Sequence, residues 1–355
     1  MIKNRDGTAD LLKGLAVLFM IQVHIMEQFG TADLYESFIG KISLFLGGVP
    51  CAPVFLAVMG YFLAKTERPY KYFLKRGLIL FTGGILLNIF RSANLLLQLY
   101  AGKMEADPLF YIFGADILPL AGLSLIVAGL LRVVFRSRPL PYFLTAIATV
   151  FIGQFLPAPN SLPGYLSYLT SFFIGSGEMS YFPFFPWFAY VLTGYAWQLF
   201  ICKQNIFQKT QETVQVVSMV FLWIFIFLTL PWAATISHNL TGPGGYYHHH
   251  IQFFAWATIF MAGYLWAIKQ AETGYGNTMF LRAVKWTGEN VTLIYVVQWL
   301  IIGNLATGFY RSQDLFQYLF WTVSVTLLTV ALSLGYLKIR KLFYKPRPER
   351  SGLHQ

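Results

Sequence analysis

The sequence predicts an all-α, polytopic integral membrane protein, a bundle of about ten transmembrane helices. Three observations predict this class: 56% of the 355 residues are hydrophobic, only 12% are charged, and long apolar runs alternate with short polar or basic connections. Soluble globular chains carry about a quarter charged residues, whereas each bilayer span needs roughly 20 apolar residues. Most of this chain is therefore expected to lie within a membrane.

The apolar runs define ten predicted helices. In order, they cover residues 11–29, 43–64, 77–98, 115–133, 140–157, 184–202, 214–235, 251–268, 291–308 and 316–337. The first run contains Lys13 and His24 and has no small-residue cleavage site after it, so we interpret it as a helix rather than a signal peptide. No soluble domain or internal repeat is visible. We therefore expect one membrane domain over residues 1–355, with a basic tail over about 338–355.

Basic residues are divided unequally between the two faces that these helices define. One face receives both termini and Lys3, Arg5, Lys65, Arg68, Lys71, Lys75, Arg76, Arg132, Arg136, Arg138, Lys203, Lys209, Lys269, Arg282, Lys285 and the cluster from Lys338 to Arg350. The other face receives Lys41, Lys103 and Arg311. The positive-inside rule assigns the basic face and both termini to the cytoplasm. The net charge of +11 then reflects membrane topology, and we expect no nucleic-acid partner.

The first predicted helix is unusually rich in ionisable residues. Asp10 and Lys13 are three residues apart and can pair on one helical face. His24 follows Lys13 by about three turns, and Glu27 comes one turn later. Ionisable residues at membrane depth are candidates for functional sites, and histidine can exchange a proton near neutral pH, as a general base must. We interpret His24 as a candidate catalytic base and Glu27 as the acid that orients it; a buried histidine bonded to a neighbouring helix is the alternative.

The second helix and the connection after it carry further signals. Ala57 and Gly60 permit close helix contact, and Pro50 and Pro53 predict a broken entry at the outer side. The basic run after the helix comprises Lys65, Arg68, Lys71, Lys75 and Arg76. Such a cluster can hold a phosphate-bearing ligand or contact anionic lipid headgroups, and composition alone favours lipid.

Two outer regions contain polar residues. Arg91 and Asp116 are predicted near the outer ends of adjacent spans, where a salt bridge would make both tolerable. The segment 157–183 contains no Lys or Arg and one acid, Glu178, and suits either an entrance for a hydroxyl-rich molecule or a re-entrant loop.

A second outer loop, SHNLTGPGGYYHHHI, contains three consecutive histidines: His248, His249 and His250. Consecutive residues point in different directions and do not easily share a metal ion, so we expect no metal site and no bound cofactor. We interpret the loop's aromatic residues as surface groups or as part of an acceptor site.

Several segments resemble the transmembrane acyltransferase superfamily. The first-helix arrangement Asp10-x-x-Lys13-Gly14 with His24, then PVFLAVMGYFLA and the basic FLKRG, is similar to the start of these proteins and is shared with acyltransferase-3 proteins. FLKRGLILFTGGILLNIF, ADILPLAGLSLIVAGLL, YFPFFPWFAYVLTGY and GENVTLIYVVQWL resemble the branch that contains the heparan-alpha-glucosaminide N-acetyltransferase catalytic domain. The resemblance extends from about residue 5 to residue 335.

This resemblance implies about ten spans, acyl-CoA presented from the cytoplasm as co-substrate, and transfer of an acyl group, with acetyl favoured, to a saccharide hydroxyl or amine on the far side. The membrane implied is the bacterial inner (plasma) membrane, whose lipids are partners. His24 takes the place of the catalytic histidine. The residues implied in acyl-CoA binding are Lys13, Arg68, Lys75 and Arg76.

Two positions depart from the family's usual residues. Lys13 stands where acyltransferase-3 members commonly have arginine, so it keeps the charge but lacks the bidentate fork. Gln298 stands where relatives often have histidine, and its amide can form hydrogen bonds but cannot carry a proton. Together with Arg91, Asp116 and Glu178, which precedes the PFFPWF motif, Gln298 completes the candidate acceptor-binding set.

The sequence leaves several alternatives open. Direct transfer and an acyl-histidine intermediate are both compatible with it, and so are a monomer and a homodimer. A secondary transporter for a small polar or anionic solute also has basic-inside spans with intramembrane charges, but carriers often show two related halves, which are not visible here. A structural or regulatory membrane protein is a third class, and it explains the combination of His24 and the basic run poorly.

Overall fold

A computed structural model describes residues 5–156, 164–175, 179–204, 212–241 and 244–343. Within these ranges the chain is helical and forms no strand. Eight helices are long and apolar enough to cross a membrane: Gly7–Phe29, Phe38–Ala64, Tyr70–Arg91, Ile117–Phe135, Val216–His238, Ile251–Tyr275, Val291–Phe309 and Leu315–Phe343. The predicted class, an all-α polytopic integral membrane protein, is confirmed.

The helices of the described residues are numbered in chain order. The long ones are α1 (Gly7–Phe29), α5 (Tyr70–Arg91), α8 (Ile117–Phe135), α9 (Pro139–Phe155), α11 (Phe184–Gln204), α12 (Glu212–His238), α13 (Ile251–Tyr275), α15 (Val291–Phe309) and α16 (Leu315–Phe343). The shorter ones are α2 (Ala32–Glu36), α3 (Phe38–Gly48), α4 (Ala52–Ala64), α6 (Ala93–Tyr100), α7 (Pro108–Ile112), α10 (Gly164–Thr170) and α14 (Met279–Glu289). All ten predicted segments are helical, with α9 and α11 covering the two that are not among the eight.

The second predicted span, 43–64, begins earlier and breaks deeper than expected. It starts at Phe38 and is divided into α3 and α4 by residues 49–51, so the break lies near the middle of the span rather than at an outer entry. Pro50 and Pro53 cannot donate backbone hydrogen bonds, and the backbone at Cys51 (φ −102°, ψ −87°) is not helical. A broken helix at membrane depth is tolerated where it lines an internal cavity.

The third predicted span, 77–98, is displaced toward the N-terminus. Helix α5 starts at Tyr70, directly after Pro69, and ends at Arg91, where Ser92 (φ −99°, ψ 12°) turns the chain into α6. Lys75 and Arg76 therefore belong to the first turns of a helix, not to a loop. Long basic side chains can cover apolar surface near a helix end while their charged ends reach water, which explains why an apolar-run analysis begins this helix too late.

One end of the bundle carries most of the described basic side chains, and we call it the basic end. There Asp6, just before α1, accepts a hydrogen bond from the Tyr61 hydroxyl (2.8 Å) and lies 3.8 Å from the Lys65 ammonium group. Arg132, at the end of α8, donates to the backbone carbonyl of Thr66. These contacts place the start of α1 and the ends of α4 and α8 side by side.

The other end of the bundle, which we call the opposite end, receives the C-terminus of α1. The backbone N–H of Thr31, just after α1, donates to the Gln313 carbonyl (3.0 Å), just before α16. Glu36 of α2 lies 3.1 Å from the His238 imidazole at the end of α12. The helix directions thus alternate between two ends, as in a bundle of antiparallel spans.

Glycines allow several of these helices to approach each other closely. A Cβ atom on Gly60 of α4 would lie 1.9 Å from the Val191 carbonyl oxygen of α11, and one on Gly194 of α11 would lie 1.9 Å from the Ala57 carbonyl oxygen. The predicted close contact at Ala57 and Gly60 is confirmed. Small residues at helix crossings are common in membranes, where dispersion contacts replace the hydrophobic effect as a source of helix association.

Replacement of Gly60 by alanine is expected to destabilise the bundle by about 1–3 kcal/mol, because the added methyl group forces α4 and α11 apart. The matched control is Gly83→Ala in α5, where an added Cβ meets no atom within 4 Å. Thermal unfolding of the purified protein in detergent should show a lower midpoint for Gly60→Ala and an unchanged or higher midpoint for Gly83→Ala. Equal midpoints for the two variants would contradict the tight crossing.

Candidate active site

A small cavity lies among α1, the break between α3 and α4, the start of α8, and α15, nearer the opposite end of the bundle. His24 and Glu27 of α1 and Asp116 at the start of α8 all line it. Its volume is about 30 Å³, room for a water molecule or one reacting group but not for a whole sugar ring. The rest of the wall includes the backbone at Gly48 and four aromatic side chains: Phe182, Tyr246, Tyr247 and Tyr295.

The His24 imidazole is held by stacking on a neighbouring helix. The centroids of the His24 and Trp299 rings are 4.0 Å apart, and the ring planes form an angle of 32°. The Gln298 amide is close enough to interact with the same imidazole. His24 Nδ1 is buried and has no hydrogen-bond partner within the described residues. The imidazole is therefore fixed in position while its Nδ1 has no hydrogen-bond partner. A histidine that accepts a proton needs such an available nitrogen.

Arg91 and Asp116 form a buried ion pair next to this histidine. The Arg91 guanidinium lies 2.5 Å from a carboxylate oxygen of Asp116, and the two residues are 9% and 6% exposed. The second oxygen of Asp116 accepts the backbone N–H of Ile117 (2.6 Å), and the guanidinium also lies over the Trp299 ring at 4.3 Å. The pairing expected from the sequence is confirmed, and Trp299 lies between the ion pair and His24.

Glu27 lines the cavity together with Asp116 but has a different environment. The ion pairs found among the described residues do not include Glu27. The cavity therefore has one carboxyl group, that of Asp116, paired with a cation and a second, that of Glu27, without an ion pair among the described residues. The role of Glu27 as the acid that orients His24 stays a prediction.

One face of α15 presents three polar side chains toward α1. Tyr295, Gln298 and Trp299 follow the i, i+3, i+4 spacing that aligns residues on one helical face. The Tyr295 hydroxyl, both ends of the Gln298 amide and the Trp299 Nε1 are buried and form no hydrogen bond of good geometry in the described part of the chain, although Gln298 lies near His24 and Tyr295 near Asp116. Buried polar atoms are normally paired with protein or water, so this concentration of unpaired groups indicates a place where another molecule binds.

The residues implied in acyl-CoA binding lie at the basic end. Lys13 pairs with Asp10 (2.7 Å), as its spacing predicted, and it lies 5.5 Å from the Phe62 ring. The side chains of Arg68, Lys75 and Arg76 are exposed at the same end of the bundle. Eleven residues of helix separate Lys13 from His24, about 16 Å along the axis.

The candidate residues thus fall into two groups. The structure brings together His24, Glu27, Arg91, Asp116 and Gln298 around the cavity, whereas Lys13 lies about 16 Å away along α1 and the exposed basic residues lie at the basic end. Glu178 lies outside the described residues. Among those that are described, no group of three His, Cys, Asp or Glu residues is arranged to hold a metal ion.

The sequence analysis missed two aromatic side chains in the site. Trp299 and Tyr295 flank Gln298 in the quoted run GENVTLIYVVQWL, and their helical spacing relative to Gln298 was the available signal. Tyr246 and Tyr247 were interpreted only as surface or acceptor-site aromatics of a loop. Their place in the cavity wall depends on contacts between distant segments, which spacing alone does not reveal.

The fold and the buried polar cavity together define a membrane-embedded protein with an enzyme-like site. A family model described as heparan-alpha-glucosaminide N-acetyltransferase, catalytic, matches residues 5–225, more than half of the chain. The chain belongs to this family, and the resemblance to the acyltransferase branch is confirmed. Membership implies a membrane acyltransferase of the acetyltransferase type. Searches among curated proteins and solved structures give no significant match.

The matched range contains part of the site but not all of it. His24, Glu27, Arg91 and Asp116 fall within it, whereas Tyr246, Tyr247 and the polar face of α15 lie beyond residue 225. The observed match is therefore shorter than the expected range of about 5 to 335. The structure nevertheless brings both parts to one cavity.

His249, in the loop before α13, is buried beside this cavity wall. It is 1% exposed, and burial lowers the pKa of its imidazole to about 3 from an ordinary value of 6.5. Its Nδ1 lies 2.8 Å from the Tyr246 carbonyl oxygen and its Nε2 lies 3.0 Å from the Tyr190 hydroxyl. A carbonyl oxygen can only accept, so Nδ1 carries the proton and Nε2 accepts from Tyr190.

Removal of one partner from the buried Arg91–Asp116 pair is expected to cost about 3–5 kcal/mol of stability, because the remaining charge stays buried without compensation. Asp116→Asn should therefore lower the thermal midpoint strongly. The double variant Arg91→Gln/Asp116→Asn removes both charges and should recover part of the loss, so unfolding midpoints of both single variants and the double variant test the coupling. Additive losses would contradict an energetically coupled pair.

Acid is expected to destabilise the protein through His249. Between pH 6.5 and about 3, unfolded His249 binds a proton that the folded protein excludes, so stability falls as the pH falls below 6.5. At pH 5 the free energy of unfolding is expected to be lower by on the order of 2 kcal/mol than at neutral pH. His249→Gln removes this contribution and should narrow the difference between the unfolding midpoints at pH 7.5 and pH 5.

His248 has a pKa that burial lowers to about 4 and is unchanged in that variant, so part of the pH dependence should persist. His250→Gln, an exposed neighbour, is the control and should retain the full wild-type dependence. If the unfolding midpoints of the wild type and His249→Gln fall by the same amount between pH 7.5 and pH 5, the conclusion that His249 is buried in its neutral form is wrong.

Proposed function

We propose that this membrane acyltransferase moves an acyl group, with acetyl favoured, from acyl-CoA to a saccharide hydroxyl or amine, with His24 as the catalytic base. The observation that supports this proposal best is that His24, Glu27 and Asp116 line one cavity within the helical bundle. Ionisable groups at membrane depth are costly and are usually retained for function. The family supplies the acyl-transfer chemistry, and the cavity supplies a place for it.

The proposed reaction balances within this site. The acceptor oxygen or nitrogen attacks the thioester carbonyl carbon, a new C–O or C–N bond forms, and the C–S bond breaks. An imidazole nitrogen of His24 takes the proton from the acceptor and returns it to the departing thiolate of coenzyme A. The unpaired buried donors on α15 lie beside His24 and are candidates for stabilising the carbonyl oxygen as negative charge develops on it.

The donor is proposed to enter from the basic end. Arg68, Lys75 and Arg76 are exposed there and can bind the phosphates of coenzyme A through charge-assisted hydrogen bonds. Lys13, at the basic end, lies about 16 Å from His24 along α1. This distance is suited to an extended pantetheine arm that carries the thioester inward. The acceptor then approaches from the opposite end.

The topology and context form part of the same proposal. The basic end is assigned to the cytoplasm by the positive-inside rule, and the membrane is proposed to be the bacterial inner membrane. Residues 1–355 act as one transferase domain, with no resident cofactor. Lipids and a second copy of the chain are the remaining proposed partners.

Replacement of His24 by alanine is expected to reduce acceptor-dependent release of coenzyme A by at least about a hundredfold, because a general base contributes 10²–10⁴-fold. The assay uses protein in detergent, acetyl-CoA, and a panel of amino sugars and neutral sugars. His238→Ala, which changes a histidine at the end of α12, is the matched control and should keep the wild-type rate. Full transfer by His24→Ala would exclude His24 as the base.

Neutralisation of Lys75 and Arg76 is expected to raise the KM for acetyl-CoA about tenfold or more, because two charge-assisted contacts to phosphate are lost. The acceptor KM should stay unchanged, and the effect should shrink at high ionic strength. Lys41→Gln, an exposed lysine toward the opposite end, serves as the control. An unchanged KM for acetyl-CoA in Lys75→Gln/Arg76→Gln would exclude donor binding by these residues.

A secondary transporter is the second candidate, and one observation favours it. Carriers often bind their substrate near the bilayer midplane at broken helices, and the break between α3 and α4 lies beside the cavity. Reconstituted vesicles separate the two functions. A transporter moves solute without consuming acetyl-CoA, whereas the proposed transferase releases coenzyme A for each acyl group transferred.

A further inference from the structure

We propose that residues 244–249, which we call the tyrosine–histidine segment, form the acceptor subsite, and that His249 is a positioning residue that holds the segment in place. The proposal rests on the proposed acyl transfer and deepens it. It assigns the recognition of the sugar ring to Tyr246 and Tyr247, whereas the chemistry remains at His24.

The tyrosine–histidine segment lies between α12 and α13, at the opposite end of the bundle. Tyr246 and Tyr247 line the same cavity as His24 and Glu27, although about 220 residues of chain separate them from α1. A molecule that reaches His24 from this end must therefore pass close to these two tyrosines. The basic residues proposed for the donor lie at the other end, so this segment faces the acceptor path.

Several hydrogen bonds fasten the segment: the backbone N–H groups of Tyr246 and Tyr247 donate to the carbonyls of Asn239 and Leu240 (2.8 and 3.0 Å), and two further bonds reach other elements. The Tyr246 hydroxyl donates to the Gly48 carbonyl (2.9 Å), at the break between α3 and α4. Trp187 of α11 donates its indole N–H to the Tyr247 carbonyl (2.9 Å). The segment thus connects the broken span to α11, and both attached tyrosines have their rings at the cavity.

His249 is the link between these attachments. Its protonated Nδ1 donates to the Tyr246 carbonyl, and its Nε2 accepts from the Tyr190 hydroxyl of α11. The Trp187 and Phe253 rings enclose the imidazole at 5.0 Å and 5.2 Å. His249 contacts no part of the cavity itself, so it can act only through the tyrosines that it holds.

The chemistry of this wall suits a sugar ring. Tyr247 packs edge-to-face with Phe182 (5.3 Å) and Tyr181 (5.5 Å), so this wall is a cluster of aromatic rings. A pyranose has apolar C–H faces that stack on aromatic rings and hydroxyl groups at its edge that form hydrogen bonds. Ligand sites commonly combine such apolar walls with a few polar groups. The cavity holds only the reacting group of the acceptor, and Tyr246 and Tyr247 are 3% and 8% exposed, so these tyrosines are assigned contact with the edge of the sugar next to that group.

The test compares His249→Ala, His249→Gln and Tyr190→Phe with the exposed control His250→Gln, using glucosamine and glucose as acceptors and acetyl-CoA as donor. His249→Ala should raise the acceptor KM about five- to tenfold, because the hydrogen bond from His249 to the Tyr246 carbonyl and the one from Tyr190 to His249 are both lost. Glutamine can donate to the Tyr246 carbonyl and accept from Tyr190, so His249→Gln should restore most of the affinity. The KM for acetyl-CoA should be unchanged in every variant.

Kinetic outcomes decide the proposal when the wild-type protein is active. A rise in acceptor KM alone, with rescue by glutamine, supports it. An unchanged acceptor KM, or equal rises for donor and acceptor, overturns it and leaves the proposed transferase function intact. A uniformly lower kcat without a change in either KM indicates a general structural role for His249 and also overturns it.

Direct sugar binding separates a failure of this proposal from a failure of the proposed function. If wild-type protein releases no coenzyme A, intrinsic tryptophan fluorescence is used to titrate glucosamine and glucose. Binding that is lost in Tyr247→Ala and retained in Tyr247→Phe supports the subsite even without transfer. Absence of binding to the wild type overturns the subsite, whereas the proposed transfer is decided separately by coenzyme A release with the panel of acceptors.

Discussion

The structure depends on keeping one polar helix, α1, away from lipid. Within its most apolar 18 residues 67% of positions are buried, against 11% for α12 and 17% for α16. Charged and polar groups in hydrocarbon are costly, and α1 carries Asp10, Lys13, His24 and Glu27. The surrounding spans cover α1 with apolar side chains such as Ile294, Ile302 and Tyr318, while its polar residues meet the cavity and the basic end. A cavity beside α1 is the natural place for polar chemistry in such a bundle.

The polar groups around this cavity are of two kinds, and the difference separates structure from function. Arg91 and Asp116 satisfy each other, and their pairing joins α5 to α8. His24, Tyr295 and Gln298 keep unpaired atoms within the described residues, although an unsatisfied buried group costs about 1–3 kcal/mol. In a bundle that served stability alone, these atoms would be paired or replaced by apolar groups. Their presence fits a site in which bound substrates supply the missing hydrogen-bond partners.

The separation between the basic end and the cavity gives the two proposed substrates different routes. Phosphate groups find exposed cations at one end, and a sugar finds aromatic rings at the other. The broken span α3–α4 contributes to both the cavity and the attachment of Tyr246, through the Gly48 carbonyl. A helix break thus supplies a polar backbone group at a depth where an intact helix would have none to offer.

The sequence alone predicted the class of fold and the ten helical segments, because apolar runs are visible in the chain. It also predicted five residues near the cavity, namely His24, Glu27, Arg91, Asp116 and Gln298, because polar and charged residues stand out within apolar runs. It misplaced the starts of the spans at Phe38 and Tyr70, since basic and small residues at span ends weaken the apolar signal. Only tertiary packing could reveal that Trp299 stacks on His24 or that Tyr246 and Tyr247 close the same cavity. Those contacts join residues more than 200 positions apart, and the balance of packing and hydrogen bonding that selects them exists only in the assembled bundle.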